Sequence, residues 1–161
     1  MKYLDLVQLA NNNSTKEEAI RILIVDDEPD IATVLKKGLQ HEGFQVDANT
    51  KPLDVLKNYA AGIYDLLLLD VRMPGMNGFE LYKEIRKIDR KVKVCFITAF
   101  EMYFDEFRRV FPKINITCFI RKPITISQLA QLVREELLKP FQEEDEPAPA
   151  QTLPGEQNTR Q

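Results

Sequence analysis

The chain has 161 residues, of which 44% are hydrophobic and 29% are charged, and these values are typical of one globular domain with its own core. Its 22 lysines and arginines stand against 25 aspartates and glutamates, which gives a net charge of −3 and disfavours a nucleic-acid-binding surface. No apolar run approaches the roughly 18 residues of a membrane span, and the first ten residues lack the pattern of a secretory signal. We therefore expect a cytoplasmic protein that contacts neither nucleic acid nor membrane.

Three segments of the chain differ in composition. Residues 1–19 combine a short apolar stretch with a polar break at 11–15, and we interpret them as an N-terminal extension. Residues 20–139 carry the regular apolar pattern of a folded domain. Residues 140–161 are acidic and rich in proline, and so few apolar residues cannot offset the entropy cost of ordering the segment. The prediction for 140–161 is a disordered tail.

Within the central segment, short apolar runs alternate with stretches of helical periodicity. The runs, in chain order, are 22–25, 44–48, 66–69, 92–98 and 116–120. The first and third are continuously apolar, which is typical of strands buried on both faces of a parallel sheet. The periodic apolar residues are Ile31, Val34, Leu35 and Leu39, then Leu53, Val55 and Leu56, then Phe79, Leu81, Tyr82, Ile85 and Ile88, then Met102, Tyr103, Phe104, Phe107, Val110 and Phe111, and finally Leu129, Leu132, Val133 and Leu137.

Helix boundaries agree with this alternation. Pro29 and Pro52 fall at the predicted starts of the first two helices, where the missing N–H of a proline is harmless. Gly43 follows the first predicted helix and is a typical stop. The pattern as a whole predicts five βα units, and therefore an α/β fold with an open parallel sheet and helices on both faces.

The two cysteines, Cys95 and Cys118, each lie within an apolar run. Cysteines in such runs are most often buried free thiols, and we favour that interpretation over a disulfide or a metal site. Free thiols would fit a reducing compartment.

Polar residues follow four of the predicted strands. Asp26 and Asp27 end the first, Asp70 the third and Thr98 the fourth, while Lys122 follows the fifth. Ligands of such sheets bind at the carboxyl ends of the strands, so we expect these side chains to converge on one crevice. Clustered carboxylates repel one another, and a hard cation such as Mg²⁺ would compensate them. The alternative for Asp26 and Asp27 alone is a solvated acidic loop, which Asp70 and Lys122 disfavour.

Asp70 directly follows four leucines, so its backbone should lie in the sheet while its carboxylate faces the crevice. A carboxylate fixed beside Mg²⁺ and Lys122 is suited to accept a phosphoryl group. The two cations would offset charge on the phosphoryl oxygens while the aspartate oxygen attacks in line.

Four motifs together resemble the receiver domain of two-component response regulators. They are ILIVDDEP at 22–29, LDVRMPGMNG at 69–78, ITA at 97–99, and the pair Lys122 and Pro123. The resemblance covers residues 20–139 and implies the flavodoxin-like strand order 2-1-3-4-5.

The resemblance implies that Asp70 accepts a phosphoryl group from a sensor histidine kinase or a histidine phosphotransfer protein. It implies that Asp27, Asp70 and the backbone carbonyl of Arg72 bind Mg²⁺, for which Mn²⁺ is an alternative, and that Asp26 acts through water. Lys122 is implied to pair with the phosphoryl group.

The resemblance further implies a cis peptide bond between Lys122 and Pro123. Thr98 would close on a phosphoryl oxygen, and Phe119 would be the aromatic switch residue. Phe119 lacks the phenol of the commoner tyrosine, so one hydrogen bond of the inward rotamer is unavailable to it.

The implied function is a phosphorylation switch rather than an enzyme with a separate substrate. Its output would be contact with a downstream protein through the predicted fourth helix, fifth strand and fifth helix, and a homodimer is a further implied outcome. The aromatic residues of the fourth helix are interpreted as core packing, with a partner surface as the alternative. We expect a stand-alone receiver, because the segment after Leu138 is too short and too acidic for a DNA-binding output.

Two other functions compete with this one. A phosphohydrolase of the haloacid dehalogenase type also uses an aspartate at a strand end, but it resembles Asp-x-Asp, whereas Arg72 stands two positions after Asp70. A receiver fold could also serve as a binding scaffold that is not phosphorylated. The complete set of charged residues argues against the scaffold, because a scaffold does not need a costly carboxylate cluster.

Overall fold

The computed structural model describes residues 19–99, 105, 108–109 and 118–141. Within them, helices and strands alternate in the predicted order. They are β1 (Arg21–Val25), α1 (Pro29–His41), β2 (Gln45–Asn49), α2 (Pro52–Asn58), β3 (Leu66–Asp70), α3 (Gly78–Ile88), β4 (Lys93–Thr98), β5 (Phe119–Arg121) and α4 (Ile126–Leu138). No helix among the described residues is long and apolar enough to cross a membrane.

Three predicted segments lie largely outside the described residues. They are the N-terminal extension, the acidic tail beyond residue 141, and the predicted fourth helix with its aromatic residues. Of that helix, Asp105, Arg108 and Arg109 are described, and all three are helical.

The five strands form one parallel sheet in the order β2-β1-β3-β4-β5, which confirms the implied order. The chain builds outward from β1 in one direction and then continues on the other side of β1 with β3. Such a reversal leaves a crevice at the carboxyl ends of the two central strands. The residues that follow Val25 and Leu69, a paired position of β1 and β3, therefore line that crevice.

Side chains of the central strands alternate between two cores, one on each face of the sheet. Leu23, Leu67 and Leu69 pack with residues of α2 and α3. Ile24 and Leu68 point the opposite way and pack with residues of α1 and α4. Strands buried on both faces explain why the runs in β1 and β3 are continuously apolar, and helices on both faces are confirmed.

Local sequence signals set the helix starts. Pro29 and Pro52 occupy the first position of α1 and α2. Asn77 and Thr125 cap α3 and α4, and each forms a reciprocal capping box with the residue three positions later, which satisfies otherwise unpaired backbone N–H groups.

Four of the periodic residues are exposed rather than buried, namely Val34, Leu53, Ile88 and Leu132, and the first two are the most exposed. Val34 in α1 has 62% of its surface exposed, and Leu53 in α2 has 59%. In α1 the buried side is carried by Ala32, Leu35 and Leu39, whose spacing of three and four residues places Val34 on the outer side. Apolar character alone therefore assigned these four residues to the wrong face.

The amino end of β4 holds the carboxyl end of α4. Lys93 Nζ donates to the backbone carbonyl oxygens of Glu136 at 2.6 Å and Leu137 at 3.3 Å, and also to that of Lys139. The last carbonyls of a helix have no partner within the helix, so Lys93 supplies one and fixes this end of α4 to the sheet.

The prediction of free thiols is wrong, because Cys95 and Cys118 form a disulfide. The pairing of Phe96 with Phe119 places the two cysteines side by side on adjacent strands, with their Cα atoms 4.7 Å apart, within the range that a disulfide spans. Both belong to the core beneath α4. An apolar neighbourhood predicts burial, but strand register decides which buried cysteines meet.

Candidate functional site

Three carboxylates meet at the crevice between β1 and β3. Asp26, Asp27 and Asp70 each offer one carboxylate oxygen, and these three oxygens lie within 4.8 Å of one another. Asp26 is fully buried and Asp70 is 6% exposed, while Asp27 is half-buried. The predicted convergence of these three residues is thus present in the structure.

Lys122 brings a positive charge from the end of β5 into the same cluster. Its Nζ lies 2.9 Å from Oδ2 of Asp26 and 3.9 Å from Oδ2 of Asp70. The other carboxylate oxygen of Asp26 accepts the backbone N–H of Glu28 at 3.0 Å. Asp26 is therefore the better compensated of the two buried aspartates, and Asp70 shares the lysine at longer range. The Lys122–Pro123 peptide bond is cis, as the resemblance implies.

The pKa of the Asp70 carboxyl is raised to about 6. Burial is the largest cause, Lys122 acts against it, and the negative charges of Asp26 and Asp27 raise the pKa further. A hydrogen bond from the backbone N–H of Arg72 lowers it. The balance of these effects leaves Asp70 short of positive charge. This is the electrostatic condition that a bound divalent cation relieves.

The donor set fits Mg²⁺. All three side chains offer carboxylate oxygens, which are the ligands that this hard cation prefers, and it commonly uses only one or two of them together with water and phosphoryl oxygens. The Arg72 side chain is exposed while its backbone lies close enough to Asp70 for the N–H contact. The role of the Arg72 carbonyl as a ligand stays a prediction.

A glycine that sequence reasoning left without a role shapes the loop after Asp70. A Cβ atom on Gly78 would lie 2.2 Å from the backbone oxygen of Asp70, far inside contact distance, so only glycine fits there. The N–H of Gly78 donates to the carbonyl oxygen of Val71 at 3.0 Å. This contact folds the 71–77 loop back so that α3 starts directly beside Asp70. The glycine that ends the 69–78 motif is the one sequence feature that could have indicated this close approach.

Thr98 and Phe119 occupy neighbouring strands beside this cluster. Thr98 is buried at the last position of β4, and its carbonyl oxygen accepts the backbone N–H of Lys122 at 2.9 Å. Phe119 points into the core on the α3 side. Its ring stacks on Phe96 with centroids 5.5 Å apart and meets the edge of Phe79 at 6.4 Å. An aromatic cluster thus holds Phe119 inward without a phenol hydrogen bond.

A family model for the response regulator receiver domain matches residues 22–134 of this chain. The chain belongs to the response regulator receiver family.

Relatives of this receiver domain agree in sequence and in fold. YkoG of Bacillus subtilis (strain 168), an uncharacterized transcriptional regulatory protein, is 35% identical over 116 residues, which are 72% of this chain and 50% of YkoG. The transcriptional regulatory protein PcoR of Escherichia coli is 32% identical over 114 residues, 71% of this chain and 50% of PcoR. The chain therefore spans about half the length of these curated relatives.

The crystal structure of the response regulator TrrA of Thermotoga maritima, in complex with Mg²⁺ and BeF, has a TM-score of 0.64 and 35% identity to this chain. The similarity covers 74% of this receiver chain and 99% of TrrA. The fold predicted from the alternating pattern is therefore that of a known receiver domain.

Proposed function

We propose that this receiver domain is a phosphoacceptor switch in which Asp70 takes a phosphoryl group from a phosphohistidine donor. The observation that carries the proposal is the cluster of three carboxylate oxygens within 4.8 Å, with Lys122 Nζ reaching two of the three side chains. A scaffold has no need for a buried carboxylate whose pKa is raised to about 6. A site that receives a cation and a phosphoryl group does.

The proposed metal ligands are Asp27, Asp70 and the backbone carbonyl of Arg72, with Asp26 acting through water. When bound, Mg²⁺ supplies positive charge to the phosphoryl oxygens, and Mn²⁺ is an alternative. The structure of TrrA, which holds Mg²⁺ and BeF, supports this choice of cation by similarity.

In the proposed reaction, a carboxylate oxygen of Asp70 attacks phosphorus in line with the departing histidine nitrogen. The new O–P bond forms as the P–N bond breaks, and the nitrogen keeps the electron pair. Lys122 already lies 3.9 Å from Asp70 Oδ2, so a small movement away from Asp26 brings its ammonium to the phosphoryl oxygens. Thr98, at the end of the adjacent β4, donates its hydroxyl to one of those oxygens.

The proposed output is a change at the protein-contact surface that includes β5 and α4. Closure of Thr98 on the phosphoryl group would alter the space beside Phe119, whose inward position depends on packing against Phe96 and Phe79. A phosphoryl group shifts such an equilibrium only as far as it contacts one state better than the other. The proposed partners are a sensor histidine kinase or histidine phosphotransfer protein, a downstream protein, and a second copy of the chain.

The test is the intact mass of the chain after incubation with Mg²⁺ and acetyl phosphate. We expect one phosphoryl adduct, which is absent when Mg²⁺ is chelated and absent in Asp70→Asn. Asp54→Asn is the matched control, because it removes the same charge from an exposed position in α2 and should keep the adduct. An adduct that persists in Asp70→Asn, or no adduct in the native chain, would contradict the proposal, and the second result would favour the scaffold.

A further inference from the structure

The disulfide between Cys95 and Cys118 links β4, which ends at Thr98, to the residue directly before β5, and Lys122 directly follows β5. Cys95 lies three residues before Thr98, and Cys118 lies four residues before Lys122. The cross-link therefore closes a covalent loop that contains Thr98. The loop ends directly before β5, the strand that positions Lys122.

β5 is a short edge strand, and the disulfide adds a covalent link to its packing and hydrogen bonds. The strand has only three residues and lies at the edge of the sheet, paired with β4 alone among the described strands. Phe119 packs against Phe96 and Phe79, and Ile120 is buried in the opposite core. At the two ends of the strand, the backbone N–H of Phe96 donates to the carbonyl of Cys118 at 3.0 Å, and that of Lys122 donates to the carbonyl of Thr98. On a strand of three residues, a covalent link at its amino end further restricts how far the strand can move from β4.

The structure assigns Cys95 and Cys118 to a reversible redox site that controls how firmly β5 holds Lys122 at the phosphoryl site. Disulfides in reducing compartments are rare, and those that exist are mostly transient and redox-sensing. The two cysteines are not equally exposed, since Cys95 is fully buried and Cys118 is 6% exposed. Exchange therefore begins at the sulfur of Cys118.

The proposed reactant is a small disulfide, RSSR. The Cys118 thiolate attacks one of its sulfurs and releases one thiol, RSH, to form a mixed disulfide. Cys95 then displaces the second RSH. The protein thiols lose two electrons and two protons, and RSSR gains both. A dithiol reductant reverses the exchange by attacking the sulfur of Cys118.

Reduction would release β5 from its covalent link to β4. A looser β5 lowers the fraction of molecules in which Lys122 lies beside Asp70, and the apparent affinity for a phosphoryl group falls by that fraction. Because linkage is reciprocal, a ligand that binds the ordered site must favour the disulfide by the same factor. This second effect rests on the proposed phosphoacceptor function, whereas the redox exchange itself does not.

The test equilibrates the full native chain in mixtures of reduced and oxidised dithiothreitol, traps thiols with an alkylating reagent, and counts them by mass. We expect the native chain to interconvert between zero and two free thiols. We also expect faster hydrogen exchange at the amides of Ile120 and Arg121 in the reduced chain. Adding Mg²⁺ and beryllofluoride should shift the midpoint ratio toward the disulfide by about fivefold.

Cys118→Ala is the control, because it keeps the partner thiol and cannot form the bond, so its β5 exchange should not respond to dithiothreitol. If the native chain releases no thiols, or if β5 exchange is the same in both redox states, the redox site is refuted. If Asp70 is shown to accept a phosphoryl group from acetyl phosphate but beryllofluoride leaves the midpoint of the unphosphorylated chain unchanged, the coupling is refuted. If Asp70 takes no phosphoryl group in either redox state, the phosphoacceptor proposal fails, and the thiol counts and β5 exchange alone decide the redox site.

Discussion

Asp70 and Asp89 are equally buried, at 6% exposure each, yet their pKa values move in opposite directions. Burial raises the pKa of both carboxyls. In Asp89 this is outweighed by hydrogen bonds, and its pKa is lowered below the usual range. In Asp70 the effect of burial is not outweighed, and the pKa of its carboxyl rises to about 6.

The difference lies in the hydrogen-bond donors around each carboxylate and in the negative charges of Asp26 and Asp27 beside Asp70. Asp89 follows α3 at the amino-terminal edge of the sheet, and its two oxygens accept four hydrogen bonds. The donors are the Tyr59 hydroxyl at 3.0 Å and the backbone N–H groups of Gly62 at 3.1 Å, Lys91 at 3.1 Å and Val92 at 3.2 Å. Asp70 has the backbone N–H of Arg72 and a lysine that lies closer to Asp26.

Asp89 thus serves the fold, whereas Asp70 is the carboxylate that we propose receives a ligand. A carboxylate that accepts four hydrogen bonds, as Asp89 does, has its lone pairs engaged and is poorly suited to bind a cation or attack phosphorus. A buried carboxylate with few hydrogen-bond donors reduces the stability of the fold until a ligand supplies compensating charge. Burial of an aspartate therefore says little about its role unless its donors are counted.

The largest effect is expected for Asp89→Ala, which leaves a tyrosine hydroxyl and three backbone N–H groups without their acceptor. We expect a loss of about 3 kcal/mol in the free energy of unfolding, measured by urea denaturation. Tyr59→Phe removes one donor and should cost about 1 kcal/mol. A cost for Asp89→Ala no larger than that of Tyr59→Phe would mean that the Asp89 carboxylate does not stabilise the fold.

Asp70→Asn should change the free energy of unfolding in the opposite direction to Asp89→Ala, and by a smaller amount. Without Mg²⁺, removing the poorly compensated charge beside Asp26 and Asp27 should raise the free energy of unfolding by about 1 to 2 kcal/mol. With Mg²⁺ the gap should close, because the cation binds the native chain and stabilises it. Urea denaturation with and without Mg²⁺ measures both. Destabilisation by Asp70→Asn in the absence of metal would overturn the contrast between the two aspartates.

The smallest effect is a slope in pH. The pKa of Asp70 is about 6 in the folded chain and about 4 in an unfolded one, so between these values the folded state binds more protons. Stability should therefore fall as pH rises from about 4 to about 6, by about 0.5 to 1 kcal/mol per pH unit. Asp89 behaves in reverse, because its lowered pKa stabilises the fold above the unfolded value and the contribution is lost as pH falls through the folded pKa.

This slope is isolated by subtracting the pH profile of Asp70→Asn from that of the native chain, both measured by urea denaturation without metal. The difference should decline between about pH 4 and 6 and stay level above it. A level difference across the whole range would show that the pKa of Asp70 is not raised.

The candidate site could be predicted from the sequence because the strand topology largely determines which residues meet there. Once β1, β3, β4 and β5 are known to be parallel, the residues after Val25 and Leu69 must meet at one edge, whatever their exact packing. The continuous leucine run before Asp70 indicated a central strand of a parallel sheet. Helix starts were equally local, since Pro29 and Pro52 restrict their own backbone.

What sequence reasoning missed depends on distances that no local pattern carries. Cys95 and Cys118 are 23 positions apart, and a shift of one residue in the β4–β5 register would have faced them in opposite directions. The donors Tyr59 and Gly62 come from a loop about 30 residues before Asp89. Val34 is apolar and adjacent to Leu35, and only the helix's orientation on the sheet separates the exposed residue from the buried one.

The attachment of α4 to the sheet through Lys93 also fixes the direction in which the chain leaves the domain. Lys93 begins β4 and Thr98 ends it, so the edge that carries the carboxylate cluster and the exit after Leu138 are separated by the length of the strand, roughly 16 Å. The described residues after Leu138, which end at Phe141, therefore leave the domain at the edge remote from Asp70. A signal passed along these residues must cross the whole sheet, whereas one passed to a protein seated on β5 travels a few residues.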